Sequence, residues 1–153
     1  MLIFNFIFHG WPEAAALIFA AFAIVGYKPN LREIISYSFL LVTIIYLFRI
    51  HPMLFVLHTL VALIVMVLII YKGTKVSLSS SFFAASSTVF ILLLIETLMI
   101  LLFKKITGHL PITQGWLWIM FGWPQIVSLT GIGILIRRIR PIVIKKYRLL
   151  NER

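Results

Sequence analysis

The sequence predicts an all-α integral membrane protein of about five transmembrane helices. Three observations predict it. The 153 residues are 62% hydrophobic and only 12% charged, about half the charged share of a soluble domain. Apolar runs long enough to cross a bilayer recur along the chain. Lysines and arginines gather in alternate connections, the pattern that marks cytoplasmic loops. The length suits one polytopic domain over 1–153.

The first span is expected over about 11–27. Pro12 suits a first helical turn, where a missing N–H costs nothing, and "YKPN" closes the helix. The second is expected over 32–50, ended by "RIHP", because the residue before a proline avoids the helical region. The third covers 53–71 and is followed by the polar "KGTKVSLSSS". The fourth covers 82–103, before the longest polar segment, "KKITGHLPITQG". The fifth covers 116–136, with a kink expected at Pro124. A basic tail over 137–153 follows, divided by Pro141. It reads either as an anchor at an anionic membrane surface or as a helix continuing from the fifth span. The apolar start "MLIFNFIF" either extends the first helix or lies on the membrane surface. It has no basic region ahead of its apolar stretch, so no cleavable signal peptide is expected.

Five spans put the termini on opposite sides. Eleven basic residues fall on one side: Lys28, Arg32, Lys72, Lys75 and seven from Arg137 onward. Three fall on the other: Arg49, Lys104 and Lys105. The positive-inside rule then places the N-terminus outside and the C-terminus in the cytoplasm of a bacterial cell membrane. The formal charge of +10 is thereby read as topology, and no nucleic-acid partner is expected.

Polar residues inside such a chain are the functional candidates. Glu96 lies in "ILLLIETLMILLF" and His58 in "LFVLHTLVAL". Counting from the expected span ends, both lie roughly 8–10 Å below the outer boundary. One reading is the polar floor of an outward-facing cavity; the other is a helix-packing hydrogen bond. Glu13 and Gln125 follow the prolines of two related units, "GWPE" and "GWPQ". Both units head a run travelling inward, which implies parallel helices. Glu13 also suits a helix N-terminus as a favourable charge, and Arg49 suits an interface as a snorkelling cation. Trp123 joins Gln125 at the expected kink. The ligand-binding candidates are therefore Glu96, His58, Glu13, Gln125, Arg49 and Trp123. Small residues at Ala84, Ala85, Ser86 and Ser87, and at Gly131 and Gly133, read as close helix packing.

There is no cysteine, so thiol chemistry and cysteine metal sites are excluded. Walker, HExxH, nucleophile-elbow and dinucleotide-loop motifs are absent. No catalytic residue, metal or cofactor is expected, and the chain is read as a non-enzyme.

"WPEAAALIF", "YKPNLREI", "LFRIHP" with "LHTLVALIV", "LLIETLMILL" and "FGWPQIV" before a basic exit resemble one known pattern. It is the N-terminal multi-helix sensor region of Gram-positive GHKL-type histidine kinases related to Agr receptors. In that family a dimerisation helix and an ATP-binding kinase domain follow; neither lies within these residues, so kinase activity does not carry over. The resemblance implies a sensor module signalling through a partner. The expected function is therefore a receptor-like module in the bilayer. It binds a signal or small ligand from outside and couples to a cytoplasmic kinase, a membrane-complex subunit or a second copy of itself. The alternative is an accessory subunit of a larger membrane complex or transporter.

Overall fold

A computed structural model describes residues 2–50, 57–108 and 116–151. Every regular element among them is helical: α1 (Leu2–Asn5), a π-helical turn (Phe6–Gly10), α2 (Trp11–Val25), α3 (Leu31–Ile50), α4 (His58–Thr74), α5 (Leu78–Thr107) and α6 (Trp116–Asn151). Three of them are long and apolar enough to cross a membrane: Ile3–Val25, Leu31–Phe48 and Leu78–Ile106.

The apolar start extends the first helix. Helical structure runs from Leu2 into α2 through the π turn, where the Trp11 N–H donates to the Phe6 carbonyl. Pro12 has no N–H to offer, and its ring would crowd the carbonyl four residues back. A wider turn just before it lets the helix continue. The expected start near 11 is therefore nine residues late.

The connection to α3 is closed by local hydrogen bonds. Gly26 adopts φ 78°, its N–H donates to the Ala23 carbonyl, and the Tyr27 N–H donates to that of Phe22 at 2.9 Å. This is a Schellman ending, which glycine makes without steric cost. Asn30 and Glu33 then cap α3 reciprocally. The Glu33 N–H donates to Asn30 Oδ1 at 2.8 Å, and the Asn30 N–H to Glu33 Oε2 at 2.9 Å, satisfying two N–H groups at the helix start. Tyr27 Oη donates to Glu33 Oε1 at 2.9 Å. That hydrogen bond, with desolvation and the carboxylate charge adding to it, raises the Tyr27 phenol above its ordinary pKa.

Other bounds also differ from expectation. α4 starts at His58 and ends at Thr74, where Lys75 takes φ 57°; expected residues 53–56 lie outside the described residues. α5 begins four residues early, because Ser77 caps it by accepting from the Ser80 N–H. α6 does not stop near 136. It runs unbroken through Pro124 and Pro141 to Asn151, so Pro141 does not divide the tail. Neighbouring helices can support a helix across a proline, and Arg137 and Arg140, just before Pro141, rest against the end of α2.

The elements form an up-and-down bundle around α2. Five of its six alanines, Ala14, Ala16, Ala20, Ala21 and Ala23, are buried, and small side chains let neighbouring backbones approach closely. α5 meets the bundle through Ser81, Ala84, Ala85 and Thr88, each fully buried and spaced as one helical face. Ser86 and Ser87 are only half-buried, so the packing stripe is offset from the residues expected to form it.

α6 lies parallel to α2. Gln125 bonds to Glu13, a Cβ at Gly133 would lie 2.8 Å from Phe19 and 3.3 Å from the Ala20 backbone, and Arg137 reaches Phe19 and the Tyr27 carbonyl. Gly131 faces open space and takes no part in this seam. α3 and α5 run the opposite way: Phe6 packs on Tyr46 and Phe22 on Tyr37, while Ile24 and Val25 share a groove with Ser79 and Phe83. One end of the bundle thus collects Lys28, Lys75, Arg137 and Arg140; this is the basic edge.

Candidate functional site

A cavity of about 110 Å³ lies inside the half of the bundle away from the basic edge. Engineered apolar cavities of ~150 Å³ hold a benzene-sized guest, so this one suits a small ligand or a few waters. Five helices build it. Glu13 comes from α2, Tyr46 from α3, His58 from α4, Glu96 from α5 and Gln125 from α6, with His9 from the π turn. Ala14, Leu17, Met66 and Leu92 supply apolar wall between them.

Four of the six expected ligand residues therefore meet: Glu13, His58, Glu96 and Gln125. Trp123 does not join them. It is 45% exposed and lines no part of the cavity, because it stands two residues from Gln125 and so about 200° round the helix. Arg49 belongs to α3, and its side chain lies outside the described residues. His58 is the first described residue of α4, and Thr59 Oγ1 lies 3.3 Å from its Nε2; the turn expected before it lies outside the described residues.

The two "GWP" units meet here. Gln125 Nε2 donates to Glu13 Oε1 at 3.1 Å, so the residue after one proline bonds the residue after the other. Their glycines also serve the cavity. A Cβ at Gly10 would lie 2.8 Å from the Tyr46 ring, and one at Gly122 would collide with the His9 ring. The tryptophans differ: Trp11 Nε1 donates to Ser38 Oγ at 2.9 Å, while Trp123 faces outward.

Sequence reasoning missed His9 and Tyr46. His9 Nε2 lies 3.6 Å from Glu13 Oε2, one helical turn away, and its side chain is 9% exposed. The spacing His9–Glu13 was the available signal, since residues four apart share a helix face; the π turn had no comparable mark in the sequence. Tyr46 continues the face of Val42, which also lines the cavity.

Chemically the lining is rich in acceptors: two carboxylates and an amide oxygen, with two imidazoles able to take or give a proton. Among the described residues, no group of three or more histidine, cysteine, aspartate or glutamate side chains is placed to hold a metal ion. No protein-family model, curated protein or solved structure matches the chain.

Proposed function

We propose that the chain is a receptor-like membrane module of five spans, with this cavity facing outward and the basic edge facing the cytoplasm. The observation that carries the proposal is the gathering of Glu13, His58, Glu96 and Gln125 from four helices around one cavity. Carboxylates are costly in a bilayer and are kept where they face protein or water. The acceptor-rich lining suits a small ligand bearing hydrogen-bond donors.

The same cavity offers a route for a signal. A ligand that engages Glu13 competes with Gln125 for the carboxylate and so acts on the α2–α6 seam. α6 has 36 residues, about 54 Å of helix, against a hydrocarbon core of about 30 Å. Its basic end extends well past the bilayer, within reach of a cytoplasmic partner. Such coupling requires that the ligand bind two arrangements of the seam with different affinity. The resemblance to kinase sensor regions points the same way.

Native mass spectrometry of the detergent-purified chain tests the proposal. A small-molecule adduct on the wild type that is lost from both Glu96→Gln and His58→Ala, with helicity by circular dichroism kept, supports it. Variants that change neither the adduct nor thermal stability overturn it. One observation favours the accessory-subunit reading: past the buried face at its start, the most apolar stretch of α5 is only 6% buried, which leaves a long face for lipid or another subunit. A stable hetero-complex on blue-native electrophoresis would support that reading.

A further inference from the structure

The basic edge holds a second recess, independent of the cavity. A groove of about 460 Å³ runs between the end of α2 and the start of α5. Ile24, Val25 and Phe83 form its apolar wall, and Ser79, Ser80 and Arg140 its polar side.

Its features select one occupant. Arg140 is seated, not loose: its guanidinium lies where a Cβ on Gly26 would be, and the side chain is half-buried. A guanidinium carries five donors in a fixed fork, so seating one face leaves others for the groove. The groove also straddles the end of the apolar spans, one of which ends at Val25 while another begins at Leu78. With those spans across a bilayer, as proposed above, Ile24, Val25 and Phe83 fall at acyl-chain depth and the polar side at headgroup depth. The surrounding charge is basic, with Lys28 and Lys75 on the same edge. Glu33, the acidic residue of that edge among the described residues, is engaged by Tyr27 and Asn30.

We infer that this groove is a binding site for the phosphate of an anionic phospholipid. The Arg140 fork takes phosphate oxygens, a match that arginine makes better than lysine. The Ser79 hydroxyl donates beside it; that of Ser80, 2.9 Å from Ser77 Oγ, donates to the phosphate when Ser77 is the donor of that pair, and an acyl chain lies along Phe83 and Val25.

The test titrates the full chain in detergent with phosphatidylglycerol, phosphatidylcholine or inorganic phosphate, read by native mass spectrometry. One phosphatidylglycerol is expected to bind in preference to phosphatidylcholine, and inorganic phosphate to compete only weakly, because it lacks the acyl chain. Arg140→Gln is expected to weaken phosphatidylglycerol binding about tenfold, with Arg140→Lys intermediate. Arg138→Gln removes the same charge from an exposed position outside the groove and is expected to change binding by less than about threefold. Equal losses in Arg138→Gln and Arg140→Gln, or none in either, overturn the site in favour of diffuse surface attraction. Strong competition by inorganic phosphate overturns the lipid as occupant in favour of a free anion. Thermal unfolding of each variant separates loss of binding from loss of fold.

Discussion

Gly122 shows how much one absent side chain contributes to the cavity. A Cβ there collides with the His9 ring, and His9 is only 7% exposed, so the ring has little room to retreat. Overpacking of this kind costs about 1–3 kcal/mol. Gly122→Ala is therefore expected to lower the thermal unfolding temperature in detergent. Gly131→Ala is the control: nothing lies within 4 Å of its Cβ position, and alanine favours the helix by roughly 0.5–1 kcal/mol, so stability should hold or rise. The sequence placed both glycines in one apolar run and gave no sign of which one touched a ring. Glu13 and Gln125 were legible as candidates because a polar residue in an apolar run stands out. Trp123 stood out equally, yet points away from the cavity, since its outward direction depends on which face of α6 meets α2.

At the scale of elements, the seam between α2 and α6 is the feature that function would have to use. Inside the bundle it carries the Gln125–Glu13 hydrogen bond. Such bonds between membrane helices contribute about 0.6 kcal/mol on average and ~1.7 at most. A double-mutant cycle with Glu13→Ala and Gln125→Ala, read by thermal unfolding, is expected to give a coupling within that range. Zero coupling would mean that the two side chains act independently. The parallel course of the two helices was legible from the matching "GWP" units. The helix ends were less so. Ser77 as a cap lay hidden within a run of serines, and the π turn has no sequence signature. Nothing local marks the unbroken passage of α6 through Pro141; Arg137 and Arg140 beside it rest against the end of α2, more than a hundred positions away in the chain.

For the whole molecule, the asymmetry of charge makes a directional prediction. The chain has no cysteine, so single cysteines serve as reporters of side. In intact cells, a membrane-impermeant maleimide is expected to label Ile106→Cys, on a side chain 74% exposed. Lys28→Cys should react only after permeabilisation. The reverse pattern would invert the orientation, and labelling of both or neither in intact cells would contradict the three crossings, by α3, α4 and α5, between the two reporters. The all-helical class was legible from the long unbroken apolar runs, because a backbone in lipid must be satisfied internally and runs of that length suit helices rather than barrel strands. The arrangement around α2 was not, since five apolar helices can be packed in several orders and only the alanine content of α2 hinted at a centre.

The distance in sequence between the two "GWP" units has a consequence for biogenesis. Helices enter a bilayer one after another as the chain is made, and association follows insertion. In a chain inserted in this way, Glu13 is placed more than a hundred residues before Gln125 is synthesised. Until α6 arrives, the carboxylate has His9, one turn away on its own helical run, but lacks the Gln125 amide. The site is completed only by α6, so a nascent chain halted before Trp116 would carry the Glu13 carboxylate without the amide that α6 supplies.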